Sequence, residues 1–157
     1  MVPYMVTRLA AYLDSGDGFY FVNVTTGGYG ITSTNSSVSL PYLCGLLNSR
    51  LLDFYFKTVT TTFHGGYFAA NKQFIEQLPI RAINFSDAAD KACHDNVVVL
   101  VNRMLELNRK KHSGKLAPSQ LDSVEREIAA TDAEIDDLVY ELYGITEEER
   151  GVIEGSH

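Results

Sequence analysis

Between Phe85 and Gly114 the chain contains no glycine and no proline, and its apolar residues recur at a spacing that only a long helix can use. Cys93, Val97, Leu100, Met104 and Leu107 follow steps of 4-3-4-3. Beyond a short link, Leu121, Val124, Ile128, Thr131, Ile135, Leu138 and Leu142 follow 3-4-3-4-3-4. Such steps stack side chains on one face of a helix, and their alternation is that of a coiled-coil seam. Ser86-Asp-Ala-Ala supplies a helix start. The link from Ser113 to Ser119 is short, so the two helices are expected to fold back antiparallel, each about 30 Å long at about 1.5 Å per residue. Glu125, Glu127, Glu134, Asp136 and Asp137 fall on the polar faces and are read as solvated. The seam itself is core, not a ligand site. What it offers function is reach, as a stiff strut that holds two bodies at a fixed distance.

The preceding residues have a different grammar. Residues 19–32 are rich in aromatic and β-branched types and are broken by Gly27-Gly28, which predicts a β-hairpin or meander. Turn-forming residues bracket it at 14–18 and 34–37. From Pro41, the residues Leu43, Leu46, Leu47, Leu51, Phe54 and Tyr55 recur at helical spacing, predicting a helix that ends near Lys57. Val59 to Phe63 reads as strand, His64-Gly-Gly-Tyr67 as a turn, and Asn71 to Leu78 as a short helix stopped by Pro79. The expected fold class is therefore α+β: a small mixed α/β unit over residues 1–85, then an antiparallel, coiled-coil-like helical hairpin over 86–157.

Charge divides at the same boundary. The formal net charge is -7, yet residues 1–85 hold five Lys/Arg against four Asp/Glu, while the rest hold 8 against 16. The acid sits in the helical half, and the first half is free to face a polyanion. A hydrophobic share of 45% suits a folded soluble chain, and no run approaches the roughly 18 apolar residues of a membrane span. The opening residues show no secretory signal, so a cytoplasmic location is expected. Cys44 and Cys93 lie in apolar helical segments and are read as packed thiols.

No constellation for catalysis stands out. No acidic residue is followed two positions later by lysine, no asparagine by two prolines, and no phosphate loop ends in Gly-Lys-Ser/Thr. The glycines at 27, 28 and 30 read as turn residues before they read as a phosphate cradle. The four histidines are scattered, so no metal and no cofactor is expected in this chain. One stretch has a different character. Lys57 to Gln73 interleaves hydroxyl, amide, basic and aromatic groups. Hydroxyls and backbone amides suit phosphates, Gln and Asn suit adenine edges, and Lys and Arg suit guanine. Its other reading is structural, with threonines as strand residues and tyrosines as core.

Phe19 to Ile31, followed by Tyr42-Leu-Cys-Gly-Leu-Leu-Asn-Ser-Arg-Leu-Leu-Asp-Phe-Tyr-Phe-Lys57, resembles the TaqI-like C-terminal specificity domain. Gly65-Gly-Tyr-Phe68 with Asn71-Lys-Gln-Phe-Ile-Glu-Gln-Leu-Pro-Ile80 is similar to that family's closing signature. Ile135 to Glu149 resembles the end of type IIG restriction-modification polypeptides. The resemblance implies a target-recognition domain for double-stranded DNA, without a catalytic centre of its own. It also implies that S-adenosylmethionine and Mg serve an N6-adenine methyltransferase and a nuclease elsewhere in the intact protein. Within the motifs, Asn48 and Ser49 are expected to satisfy backbone groups, Leu46, Leu47, Leu51 and Phe54 to form core, and Pro79 to end an element.

Contacts to DNA are expected on the loops between motifs, from Arg8, Tyr29, Lys57, Thr60, Thr61, Thr62, His64, Lys72 and Gln73. The expected partners are double-stranded DNA and the methyltransferase and nuclease domains of the same polypeptide or complex. Pairing with a second copy through the helical hairpin stays open, and no membrane partner is expected. Two alternatives also stay open: a specificity subunit of a type I-like system, and a helical interaction or dimerisation module whose α/β half binds protein.

Overall fold

In a computed structural model of the protein, residues 1–14, 27–34 and 38–155 are described. The helical hairpin forms as its spacing requires. Helix α4 runs Ala88–Lys111 and α5 runs Pro118–Tyr143. Asp87 caps α4 by accepting the Ala89 and Asp90 amides at 2.8 and 3.0 Å, and Arg109, Lys110 and Lys111 complete its negative end. The chain reverses through Gly114 at φ +69 and restarts at Pro118. Val97 and Leu107 of α4 are buried in the hairpin, as are Val124, Thr131, Ile135 and Leu142 of α5. Thr131 is tolerated there because its hydroxyl donates to the Glu127 carbonyl of its own helix, at 2.8 Å. Helix α5 ends on Gly144 in the left-handed region, and a reciprocal cap between Thr146 and Glu149 starts α6, Glu147–Gly155. That last helix folds back on α5: Arg150 pairs with Asp137 at 2.6 Å and lies over the Tyr140 ring, and Ile153 is buried.

Val101 and Val139 are buried as well, although they fall outside the steps that define the seam. A third helix explains Val101. Helix α1, Leu40–Asn48, packs on α4 so closely that a β-carbon at Gly45 would lie 2.7 Å from the Val97 side chain and 3.1 Å from that of Val101. A wider apolar stripe is needed when a helix is covered on two sides. One core results, and it runs without interruption from Tyr42, Leu46, Leu47, Leu52 and Phe56 into Val97, Val101, Ile135, Val139 and Leu142.

The apolar spacing from Pro41 to Lys57 predicts one helix, and the structure has two, with α2 at Arg50–Val59. Ser49 makes the break. In extended conformation it ends α1 by donating its amide and its hydroxyl to the Leu46 carbonyl, at 3.0 and 2.7 Å, and starts α2 as its cap. The turn re-phases the helix, so Leu52 and Phe56 enter the core and Tyr55 remains exposed.

The strands are short. Val2–Pro3 (β1) pairs antiparallel with Gly28–Tyr29 (β3), and Met5–Val6 (β2) with Phe68–Ala69 (β4). Only glycine fits at 28, since a β-carbon would lie 2.6 Å from the Val2 carbonyl oxygen. Most of the hairpin expected over 19–32, and the turn residues 15–18 and 35–37, lie outside the described residues. After the short helix α3, Lys72–Ile75, the chain reaches α4 through a segment held by both halves. The Tyr143 and Tyr42 hydroxyls donate to the carbonyls of Pro79 (2.6 Å) and Arg81 (3.0 Å). The Arg81 guanidinium donates to the Leu142 carbonyl (2.5 Å) and pairs with Asp90 (2.8 Å).

Helix α2 is fixed to α5 by Asp136, which accepts the Arg50 amide at 2.8 Å and faces its Nε at 3.1 Å. This meets an orphan donor at the positive end of α2. Burial nevertheless pushes the Asp136 carboxyl up to about 6, with Asp132 adding like charge. A carboxyl whose folded pKa exceeds its unfolded one binds more protons when folded, so its contribution to stability falls as pH rises between the two values. The stability of the wild type relative to Asp136→Asn should therefore fall between about pH 4 and pH 6 and level off above, in urea titrations of both proteins. A difference independent of pH would contradict the burial argument. Gly45→Ala should lower stability by about 1–3 kcal/mol through overpacking between α1 and α4, seen as a lower urea midpoint. An unchanged midpoint would mean that the contact relaxes freely.

Candidate nucleic-acid interface

Between the end of α2 and the start of α3, the stretch from Lys57 to Gln73 forms a two-stranded ribbon. Thr62 bridges to Phe68, the Phe63 amide donates to the Tyr67 carbonyl (2.7 Å), and the Ala69 amide donates to Thr61 (3.1 Å). Gly65 and Gly66, at φ +82 and +77, close the turn, a conformation in which side chains are strained. Thr60 locks the base of the ribbon by donating its hydroxyl to the Ala69 carbonyl at 2.7 Å. Phe68 fixes it from below, with its ring edge-on to Phe56 at 6.4 Å and the Lys57 ammonium 5.7 Å from its centre.

Of the residues expected to contact DNA, Thr61, Thr62 and His64 are exposed on this ribbon, and Lys72 and Gln73 are exposed on α3 just beyond it. Lys72 pairs loosely with Glu76 at 3.2 Å on the surface. Tyr29 sits on β3, opposite Val2. Residues 2–6 thus carry β3 on one pairing and the ribbon on the next, with the Ala70 amide donating to Tyr4 between them, which brings Tyr29 and the ribbon onto one framework. Thr60 is half-buried and Lys57 faces Asp53, so both also hold the ribbon in place. From residue 54 to residue 75 there is no Asp or Glu.

Arg8 belongs to a different surface. Its guanidinium donates to the Asn48 carbonyl at 2.8 Å, and it lines a groove of about 700 Å³ between residues 8–13, α1, α4 and α5. Leu13, Val101, Leu105, Ile128 and Ile135 give the groove apolar walls, with Arg109, His112 and Asp132 among its polar residues.

The Asn48-Ser-Arg-Leu-Leu-Asp53 motif holds these pieces together. The Asn48 side chain accepts the Ala11 amide (3.1 Å) and donates to the Ala11 and Cys44 carbonyls (2.9 and 2.8 Å), as a neighbouring strand would. Asp53, buried, accepts the Leu9 amide at 2.6 Å and pairs with Lys57 at 2.8 Å. Asn48 and Ser49 satisfy backbone groups as expected. The part played by Asp53 was not foreseen, because its partner lies 44 residues away.

A cluster across the helices also escaped the sequence. Ser39 Oγ lies 2.9 Å from His94 Nε2, and His94 Nδ1 lies 2.9 Å from Asp95 Oδ1. The connectivity is that of a hydroxyl–imidazole–carboxylate relay. Its members have structural duties: Ser39 caps α1, Asp95 is exposed and paired with Lys91 at 2.5 Å, and His94 packs between Tyr42 and Phe85. They fasten the start of α1 to α4. Burial raises both cysteine thiols above their ordinary range, which suits packed, unreactive groups. Among the described residues no group of three His, Cys, Asp or Glu could hold a metal, and no helix is long and apolar enough to cross a membrane.

Residues 7–80 match the family model of the TaqI-like C-terminal specificity domain. This segment is a TaqI-like specificity domain. The family is one of specificity domains rather than catalytic ones, which suggests the specificity part of a restriction-modification enzyme. The match takes in the Asn48–Asp53 joint, the whole ribbon and α3, and stops at Ile80 inside the grip of Tyr42 and Tyr143. The helical hairpin lies beyond it. No curated protein and no solved structure matches the chain.

Within the specificity domain, Asn48→Ala should cost about 1–3 kcal/mol, because the Ala11 amide and carbonyl lose their partner together. Hydrogen exchange should show the Ala11 amide losing protection while amides in the middle of α5 keep theirs. Equal protection in both proteins would show that the side chain is not what holds residues 8–11.

Proposed function

We propose that this chain is the sequence-reading part of a restriction-modification enzyme and that its specificity domain binds double-stranded DNA through the ribbon and α3. The observation that carries the proposal is the run from 54 to 75: it has no acidic residue, it presents hydroxyl, imidazole, ammonium and amide groups to solvent, and it lies inside a specificity domain. Thr61, Thr62 and His64 suit phosphate or base edges, Lys72 suits phosphate or guanine, and Gln73 suits adenine. Tyr29 flanks them on the shared framework. Lys57 and Thr60 act by fixing the ribbon, and Arg8 by contacting either DNA or the neighbouring body at the groove.

In the finer reading, the intact enzyme is of type IIG. Its nuclease and its N6-adenine methyltransferase, with Mg and S-adenosylmethionine, then lie in other domains, and this chain works in the cytoplasm. Residues 1–85 read while residues 86–157 set the distance to the catalytic body or dock against it. A second copy on the hairpin is what a missing docking partner would leave room for.

Fluorescence anisotropy of a labelled random-sequence duplex, repeated across a salt series, tests the proposal. Affinity should fall with salt at a log-log slope near -0.9 for each phosphate neutralised, and Lys72→Ala should remove about one such unit if it contacts phosphate. Lys72 is the cleanest probe because Lys57 and Arg8 also hold structure. No binding at low salt, or binding indifferent to salt, would sink the DNA reading and favour a protein partner.

A further inference from the structure

The ribbon has two faces, and the DNA-binding proposal uses Thr62 on one and Thr61 on the other without using the two rings beside Thr61. Pairing of Thr62 with Phe68 and of Phe63 with Tyr67 puts side chains at 63 and 67 directly opposite and on the same face. The other face carries Phe68 and Val6, which are packed inward. The face with Phe63 and Tyr67 also carries Met5, through the pairing of Met5 with Ala69. All three remain open to solvent: Met5 is 46% exposed, Phe63 42% and Tyr67 43%. The two rings sit at the extreme end of the ribbon, where only His64 and two glycines lie beyond them, and the Tyr67 ring leans over Gly65 at 3.7 Å from where a β-carbon would be. Nothing lies within 4 Å of a β-carbon built at Gly66.

Two large rings side by side at an exposed tip form an apolar surface that a partner would cover at a gain in free energy. Their surroundings select the partner. The acid-free run around them, with Lys72, His64 and the threonine hydroxyls, suits a polyanion that also offers flat apolar surfaces, and nucleic-acid bases provide both. A two-stranded ribbon fits a DNA groove, and aromatic wedges are a general means of prising base steps apart. Building on the DNA-binding proposal, we infer that Phe63 and Tyr67 form a stacking wedge that packs against unstacked bases, so that the ribbon reads how easily a base step opens as well as its edges. Specificity of this kind arises from deformation and needs no hydrogen bond to a base.

The chain contains no tryptophan, so Phe63→Trp creates a single fluorescent reporter at the tip. Two signals are recorded in one titration of the full chain with a labelled duplex, one fully paired and one of the same sequence with a single-base bulge. Anisotropy of the label reports binding, and tryptophan emission reports contact with a base. The wedge predicts strong quenching on binding, tighter binding of the bulged duplex, and loss of about tenfold in affinity for that duplex in Phe63→Ala or Tyr67→Ala. Phe63→Leu, which keeps bulk and removes the π-face, should behave like the alanine variant. Binding with unchanged emission and no preference for the bulge would overturn the wedge and leave the DNA reading intact. Unaltered bulge affinity in Phe63→Leu would also overturn stacking. Absence of binding to either duplex would overturn both.

Discussion

Two polar side chains at the junction of α1 and α2 determine where everything else in the specificity domain lies. Asn48 pairs with Ala11 on both its backbone groups, and Asp53 takes the amide of Leu9, so an extended segment with no strand partner is fixed to a helical corner. Backbone groups buried beside a helix need such partners, since water cannot reach them and no ladder is available. Ser49 and Arg50 complete the corner, one by ending α1 and starting α2, the other by joining α2 to Asp136 of α5. The six-residue motif is therefore a junction of the N-terminal segment, the reader helices and the hairpin. That accounts for its being recognisable in sequence.

The hairpin was legible because its information is local. Three- and four-residue steps, a capping aspartate and a glycine reversal all act within a few residues of each other, and they specify α4 and α5 without reference to the rest. The seam missed Val101, covered by helix α1 from another part of the chain, as well as Val139 and Tyr140, and Asp136, read as solvated, is buried against Arg50 of α2. The break at Ser49 was hidden for a related reason: apolar residues keep their spacing across it, and only the serine's cap bonds reveal the turn. The first strand of the ribbon and its turn were readable, because β-branched runs and glycine pairs carry that signal, and the second strand was not. What it packs on was not, and neither was the pairing of Ser39 with His94 across 55 residues. Of the candidate contacts, Thr61, Thr62, His64, Lys72 and Gln73 emerge together on one projection, Tyr29 joins them through residues 2–6, and Arg8 stands apart in the groove.

Charge follows the same division. Acidic residues decorate the hairpin, where Arg103 and Lys111 meet Glu127, Glu134 and Glu125 across its surface. Exposed pairs of this kind contribute little to stability and are weakened by salt. The hairpin is held by its apolar seam and by α1, so its surface acid has no structural part to play.

The bonds that hold residues 79–81 share a chemical asymmetry. Tyr143, Tyr42 and Arg81 supply the gripping side chains, and apart from Asp90, and the Tyr143 hydroxyl that also accepts the Arg81 amide at 3.2 Å, every acceptor is a main-chain carbonyl. A carbonyl is present whatever side chain its residue carries. Three donor residues are therefore enough to keep reader and hairpin in register, while the residues they grip can be exchanged. A frame built this way lets the ribbon's residues change without re-engineering the attachment that joins it to the hairpin.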